Sequence, residues 1–187
     1  MKKIIIIDAS PRKGANSDSI SKLIADLATS AGAAAETFYI RDMDIHNCIG
    51  CNACQKTGAC VFADDGSKLI SKLSADCDGV FFVSPVYFNY IPGPAKDLID
   101  RFHIVFSPAR LADPGVGDKK VGVVFPFGRG PADEYAVVGD HIGRDFQFFG
   151  YTQRRSVLCP LCTEPTSFAV NSEYQAAVKA LADWVLE

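Results

Sequence analysis

The sequence predicts an α/β fold in which a five-stranded parallel sheet lies between two layers of helices. Five short segments rich in β-branched and aromatic residues recur along the 187 residues, and stretches of helical periodicity alternate with them. Several segments are almost continuously apolar, as is typical of strands buried on both faces. Regular alternation of strand and helix favours a parallel sheet, because each helix carries the chain back to the edge where the previous strand began.

Each element follows from its residues. Apolar and β-branched runs predict strands at 3–8, 36–40, 79–84, 120–125 and 155–158. Apolar residues at i, i+3, i+4 and i+7 predict helices around 20–27, 95–102 and 178–185, and weaker patterns predict two more around 69–73 and 138–146. No repeat or linker divides the chain. We therefore expect a single domain over residues 1–187, with a cysteine-rich insert at about 46–65 and a second irregular stretch at 107–118.

Composition predicts a soluble, cytoplasmic protein. Hydrophobic residues make up 48% of the chain and charged residues 22%, and no apolar run approaches the ~20 residues needed to cross a bilayer. The apolar run near the start reaches Asp8 after four isoleucines, so it predicts a first strand rather than a signal peptide. A net charge of −3 gives no attraction to nucleic acid or to an anionic membrane. Neither is expected as a partner.

Four of the seven cysteines form a compact run, Cys48-x2-Cys51-x2-Cys54-x5-Cys60. An odd number of cysteines without a secretory signal argues against a disulfide framework and favours metal binding or redox chemistry. Three thiolates on one turning loop, completed by the fourth, suit an iron-sulfur cluster. The spacing differs from common zinc patterns, but zinc or vacant thiols stay open as alternatives, and nearby His46 is an alternative ligand.

The other three cysteines lack this context. Cys77 precedes a buried strand and is expected to act as a small apolar side chain. Cys159 and Cys162 form a second C-x-x-C at the end of the fifth strand rather than at a helix N-terminus, where a redox dithiol would gain thiolate stabilisation. We therefore expect structural thiols there.

The first strand-to-helix connection, Ser10-Pro-Arg-Lys-Gly-Ala-Asn-Ser17, is a candidate phosphate-binding loop. It lies at the carboxyl edge of a parallel sheet, where ligands bind and a helix presents its positive end. Ser10, Asn16 and Ser17 add polar donors, Arg12 adds charge, and the segment 16–18 offers N-cap candidates. G-x-G-x-x-G and Walker patterns are absent, which favours a terminal phosphate monoester such as that of FMN. The alternative is a capped turn that binds nothing.

Two further loops are predicted at the same edge. After the third strand come Tyr87, Phe88, Asn89 and Tyr90, whose aromatic faces and backbone amides suit a planar heteroaromatic ring. Taken alone, such aromatics are more often core or interface residues. After the fourth strand, the loop 126–131 supplies Gly128 and Arg129.

Together these motifs resemble the flavodoxin-like NAD(P)H-dependent FMN reductases, and more closely their iron-sulfur flavoprotein branch. The resemblance rests on the loop 10–17, on the four-cysteine run followed by Asp64-Asp65, and on Ser84-Pro-Val-Tyr87. The matching motifs occur in the family's order within roughly the first 105 residues. It implies a flavodoxin-like three-layer sandwich with a five-stranded parallel sheet, a homodimer or homotetramer, and no catalytic side chain, since the flavin carries the chemistry.

The resemblance also implies a set of site residues. The FMN phosphate would be held by Ser10, Arg12, Asn16 and Ser17. The flavin ring would be held by Pro85, Val86, Tyr87, Phe88 and Asn89. In the iron-sulfur branch the motif formed here by Cys48, Cys51, Cys54 and Cys60 carries a [4Fe-4S] cluster, although flavin-only relatives can retain similar cysteines.

We therefore expect an FMN-dependent oxidoreductase in which FMN and a [4Fe-4S] cluster exchange electrons. Its partners would be small-molecule or protein electron donors and acceptors, with NAD(P)H as a possible donor. One alternative is a flavin-only NAD(P)H-dependent reductase of quinones or similar acceptors. Another is a noncatalytic flavodoxin-like electron carrier, although the Thr-rich loop and stronger acidity typical of flavodoxins are absent. Asp64 and Asp65 are expected to cap a helix rather than act as catalytic groups.

Overall fold

A computed structural model describes residues 1–75, 77–112 and 117–187. Its five strands are all parallel and form one sheet in the order β2-β1-β3-β4-β5. The strands are β1 (Lys3–Asp8), β2 (Ala34–Tyr39), β3 (Gly79–Val83), β4 (Lys120–Pro126) and β5 (Gln153–Cys159). The order reverses between β1 and β3, which is the topological switch point of a doubly wound sheet. The predicted fold class is confirmed.

The five predicted helices are present, together with shorter ones. The α-helices are α1 (Asn16–Ser30), α2 (Ala53–Thr57), α3 (Asp65–Ala75), α4 (Gly93–Asp100), α5 (Pro108–Ala112), α6 (Ala136–Asp145) and α7 (Ser172–Leu186). The 3₁₀ helices are Ile40–Asp42, Arg101–Phe106 and Phe146–Phe149. Five residues are too few to show a helical period, so α2 and α5 were not predicted. Among the described residues, no helix has the length and apolar content needed to cross a bilayer.

The helices cover both faces of the sheet. Successive residues of β1 point to opposite sides, as the pleat requires. Ile5 and Ile7 pack into one apolar cluster with residues of α3, α4 and α6, whereas Ile4 and Ile6 pack into another with residues of α1 and α7. Burial of nearly every side chain of β1, β3 and β4 explains why these strands read as almost continuous apolar runs.

Candidate functional site

A cavity of about 390 Å³ lies at the carboxyl edge of the sheet, where β1, β3, β4 and β5 end. Such a volume is within the usual range of roughly 300–1,000 Å³ for small-molecule pockets. Four connections contribute its walls. The lining residues are Ser10, Arg12, Ala15, Asn16, Ser17, Pro85, Val86, Tyr87, Pro126, Phe127, Gly128, Arg129, Cys162 and Thr163.

The structure brings nine of the eleven predicted cofactor residues into this lining. They are Ser10, Arg12, Asn16, Ser17, Pro85, Val86, Tyr87, Gly128 and Arg129. Phe88 and Asn89 flank the cavity rather than line it, because they form the tip of a two-residue turn in which Tyr87 and Tyr90 exchange backbone hydrogen bonds. Both tip residues have positive φ, +51° and +65°, as a type I′ turn requires.

The tip of this turn is exposed and lightly supported. Phe88 projects fully into solvent, although it is a large apolar side chain. The Tyr135 hydroxyl donates a hydrogen bond of 3.3 Å to Asn89 Oδ1. An exposed aromatic ring therefore stands at the mouth of the cavity, one residue beyond its lining.

A buried carboxylate shapes the loop after β1. Asp8 Oδ1 accepts a hydrogen bond from the Ser10 backbone N–H at 2.9 Å, and its Oδ2 accepts one from the Ser21 hydroxyl at 2.9 Å. Ser10 Oγ in turn accepts a 3.1 Å hydrogen bond from the Arg12 backbone N–H. Burial raises the pKa of Asp8 to about 6, against the lowering effect of these hydrogen bonds. Asp8 thus fixes the path of the chain beneath the cavity.

The N-cap prediction for α1 was wrong. The helix begins at Asn16, and the residue before it is Ala15, which has no side chain able to cap. Asp18 instead accepts a hydrogen bond from the Gly14 backbone N–H and pairs with Arg41 Nη1, at 2.7 and 2.8 Å. Because Ala15, Asn16 and Ser17 line the cavity, the positive end of α1 lies beside it.

The Asn16 side chain links the first loop to the segment that precedes α7. Its Nδ2 donates to the Glu164 carbonyl at 2.8 Å, and its Oδ1 accepts from the Phe168 backbone N–H at 2.9 Å. Both ends of the amide are therefore engaged by the protein. Asn16 holds together two loops that approach the cavity.

Sequence reasoning missed the contribution of β5. Cys162 and Thr163 follow this strand and line the cavity, and the Cys162 N–H donates to the Phe127 carbonyl at 2.9 Å. Their position after a strand, at the edge where the other loops lie, was the available signal. Burial raises the pKa of Cys159 to about 12 and that of Cys162 to about 11, so both remain protonated thiols near neutral pH. The expectation of structural rather than reactive thiols fits these values.

A second cavity, of about 30 Å³, is lined by the cysteine loop. Cys48, Cys51, Cys54 and Cys60 all contribute to it. Asn52 and Gly58 flank the short helix α2 with φ of +55° and +71°, and these turns bend the loop around the cavity. Within the described ranges, no three His, Cys, Asp or Glu side chains converge in a way that could hold a single metal ion. The four cysteines thus line one small cavity without forming a site for a single ion.

A buried ion pair anchors this loop. Asp64 Oδ2 accepts hydrogen bonds from Arg101 Nη1 at 2.6 Å and from the His46 backbone N–H at 3.0 Å. Its Oδ1 accepts from the Ser67 backbone N–H at 3.0 Å, so Asp64 caps α3 as predicted. Burial alone would raise the pKa of Asp64, but these donors hold it well below its usual range. Asp65 pairs with exposed Lys68 instead.

His46 belongs to the base of the loop. Its ring stacks on Phe62 with centroids 4.8 Å apart, and its Nδ1 lies 3.3 Å from Asp64 Oδ2. Further along, Gln55 Nε2 donates to the His103 carbonyl at 2.8 Å, which ties α2 to the 3₁₀ helix Arg101–Phe106. The stacking on Phe62 and the contact with Asp64 give His46 a packing role next to the cavity that the cysteines line.

Fold and cavity together define a doubly wound α/β protein with a ligand pocket at its topological switch point. The family model described as NADPH-dependent FMN reductase matches residues 2–133. The chain therefore belongs to the NADPH-dependent FMN reductase family, and the predicted family is confirmed.

The curated relatives that the chain matches are named iron-sulfur flavoproteins. The chain is 34% identical over 99 residues to the iron-sulfur flavoprotein of Methanosarcina thermophila, covering 53% of this chain and 51% of that protein. It is 35% identical over 99 residues to the iron-sulfur flavoprotein of Archaeoglobus fulgidus, covering 53% of this chain and 48% of the other. The chain thus matches about half the length of these relatives.

Solved structures share the fold at low identity. An azoreductase from Bacillus anthracis has a TM-score of 0.69 and 18% identity, with 100% of this chain and 99% of that one covered. An NADH:FMN oxidoreductase has a TM-score of 0.68 and 15% identity, with coverage of 100% and 89%. These similarities agree with the flavodoxin-like architecture.

Proposed function

We propose that this protein is an FMN-dependent NAD(P)H oxidoreductase of the iron-sulfur flavoprotein type. The observation that carries the proposal is the presence of two separate cavities, one at the switch point with a helix N-terminus and two arginines, the other lined by four cysteines. Membership of the FMN reductase family and the names of the relatives support the same assignment.

The residues of the larger cavity suit FMN. Ser10, Arg12 and Ser17 would bind the phosphate, because they lie in the loop that leads into α1 and in its first turn, where N–H groups and the helix dipole favour an anion. Arg129, from the loop after β4, would add a second positive charge. Asn16 would act by holding the loop in place, since its amide is already hydrogen-bonded to the protein.

The ring of the flavin would lie against the loop after β3. Pro85, Val86 and Tyr87 offer an apolar wall and backbone groups for a planar heteroaromatic system. Phe127 provides another apolar surface and is fixed by an edge-on contact with Tyr135, with centroids 4.8 Å apart. Exposed Phe88 would stand beside the ring, where it can limit the approach of an acceptor.

The cysteine cavity fits a cluster better than a single ion. In a [4Fe-4S] cluster each cysteine binds a different iron, so the sulfurs need not converge on one point. A tetrahedral zinc site would require four ligands at about 2.0–2.3 Å from one ion. Cys48, Cys51, Cys54 and Cys60 lining a common space meet the first requirement.

When bound, FMN supplies two-electron chemistry and the cluster supplies one-electron chemistry. The protein's part is to hold the flavin at the sheet edge and to keep the four thiolates together. The four cysteine ligands and the pocket lie on different loops. The two binding functions should therefore be separable by substitution.

We also propose that copies of this chain associate. Part of the irregular stretch 107–118, namely 113–116, lies outside the described residues. Nearby, exposed Phe106 and Phe148 pack edge to face with centroids 4.9 Å apart, and Leu111 is 63% exposed. Apolar exposure of this kind is common at protein interfaces. Sedimentation should show a dimer or tetramer, and a monomer at all concentrations would reject this proposal.

Anaerobic reduction tests the proposed activity. The purified protein, loaded with FMN, should lose flavin absorbance when NADH or NADPH is added, and a reduced-cluster EPR signal should follow. Bleaching of the flavin in protein without iron would instead establish the flavin-only reductase. Flavin that neither nucleotide reduces, but that accepts electrons from a protein donor, would establish an electron carrier.

A further inference from the structure

One buried donor beside the cysteine loop has no acceptor. Arg101 is 3% exposed, and its Nε is buried without a hydrogen-bond partner in the described part of the chain. A buried unpaired N–H of a charged group is costly, so a folded protein normally supplies it with a partner. The other nitrogens of this guanidinium do bond: Nη1 donates to Asp64 at 2.6 Å and Nη2 donates to Ser67 Oγ at 2.6 Å.

The same side chain lines the cavity formed by the four cysteines. Cys60 and Arg101 both line this cavity, and although burial acts against it, the pKa of Arg101 is raised by Asp64 and by Cys60. Gly66 makes room for this arrangement. A Cβ at that position would lie 2.7 Å from Arg101 Nη1 and 3.2 Å from Ile45 Cγ2. Arg101 is thus a permanently charged donor fixed against a sulfur-lined space.

We propose that Arg101 Nε–H donates a hydrogen bond to a sulfur of the iron-sulfur cluster held by the four cysteines, and that it raises the reduction potential of that cluster. This inference rests on the proposed function. Hydrogen bonds to cluster sulfurs and nearby positive charge favour the more negative, reduced state. Anchoring the loop through Asp64 and Ser67 requires only the Nη atoms, so the Nε–H is free for the cluster.

The most direct test uses the unaltered sequence. Protein labelled with 15N at arginine is purified without oxygen, reduced with dithionite and examined by pulsed EPR. We expect a hyperfine coupling from one arginine nitrogen and one solvent-exchangeable proton to the reduced cluster. Reduced cluster signals without either coupling would overturn the proposal. Protein that contains FMN but no iron or sulfide would overturn both this inference and the iron-sulfur part of the proposed function.

Two variants give an independent readout. Arg101→Lys keeps the charge that pairs with Asp64 but removes the Nε–H. When the solution is held at the midpoint potential of the unaltered protein, the ratio of reduced to oxidised cluster in Arg101→Lys should be at least tenfold lower. This corresponds to a decrease of about 59 mV in the one-electron reduction potential. The control, Ser67→Ala, removes an Nη2 partner and should change the ratio less than twofold. Equal cluster potentials in all three proteins would contradict the assignment. FMN binding should be unchanged throughout, and if Arg101→Lys retains no iron, the labelled protein decides the question.

Discussion

The two cavities are built in different ways. The larger one is assembled from the ends of four neighbouring strands, so the hydrogen-bond ladders of the sheet fix the positions of its walls. The cysteine loop lies outside the sheet and is anchored by a few side chains, above all by the ion pair of Asp64 and Arg101. A site at a sheet edge should therefore withstand the loss of one side chain, whereas the cysteine loop should depend strongly on single residues.

The largest effect is expected at a cysteine. Cys51→Ser should abolish the visible absorption of the cluster and lower the iron content more than tenfold, because a serine oxygen is a poor substitute for thiolate ligation. FMN content should stay at one per chain, since Cys51 does not line the larger cavity. Iron and FMN assays check this. Cys77→Ala is the matched control, because Cys77 is buried elsewhere and donates to the Gly79 carbonyl. Loss of FMN together with iron in Cys51→Ser would show that the two sites are not independent.

A smaller but substantial effect is expected at the anchor. Asp64→Ala leaves the Arg101 guanidinium buried and without its counter-charge, and should lower the free energy of unfolding by about 3–5 kcal/mol. Asp65→Ala, which removes an exposed pair with Lys68 and a hydrogen bond from the Asp44 backbone N–H, should cost much less. Urea unfolding measures both. Similar losses in the two variants would show that the buried pair does not anchor the loop.

Beneath the larger cavity, Asp8 should make stability depend on pH. Its pKa is raised from 3.8 to about 6 in the folded state, so the folded protein binds more protons than the unfolded chain between these values. The contribution of Asp8 to the free energy of unfolding therefore falls by roughly 3 kcal/mol in all as the pH rises from about 4 to about 6. Asp8→Asn should lose this dependence. The free energy of unfolding of the unaltered protein, relative to that of Asp8→Asn, should therefore be greater at pH 4.5 than at pH 7.

Unfolding in urea at both pH values tests the role of Asp8. The exposed residue Asp26 on α1 offers a control. Asp26→Asn removes an exposed carboxyl and supplies the baseline with which the Asp8→Asn difference is compared. If the Asp8→Asn difference, relative to that baseline, is the same at both pH values, burial does not perturb the Asp8 carboxyl.

The smallest effect is expected in the phosphate loop. Arg12→Ala should weaken FMN binding about tenfold, because one charge-assisted hydrogen bond among several would be lost. Lys13→Ala, one residue along, should change the Kd less than twofold, because Lys13 pairs with Asp42 at 2.8 Å on the surface. Titration followed by quenching of FMN fluorescence compares them. Equal losses would indicate general electrostatic attraction rather than a specific phosphate contact.

The sequence predicted the features that follow from local pattern and topology. The buried strands read as apolar runs, and β1 was placed at its observed bounds, Lys3–Asp8. The loop after it could be assigned to the ligand edge because parallel strands place such loops there. The same rule, applied to β5, would have found Cys162 and Thr163. That contribution was missed because the loop has no glycine and was considered only for its two cysteines.

The anchor of the cysteine loop could not be read from the sequence. Arg101 lies within a helical pattern, and its partner Asp64 is 37 residues earlier, so no local signal joins them. The position of Phe88 and Asn89 beside the cavity rather than in its lining could not be read from the sequence either, because it follows from positive φ at both residues of the turn. Short-range patterns indicate which residues are candidate ligands, whereas long-range contacts decide how those residues are supported.

We expect one chain to hold both FMN and an iron-sulfur cluster. The most direct measurement is a visible absorption spectrum of protein purified without oxygen, together with quantification of FMN, iron and acid-labile sulfide. We expect flavin bands, one FMN, and about four irons and four sulfides per chain. Flavin without iron or sulfide would contradict the claim and leave a flavin-only reductase.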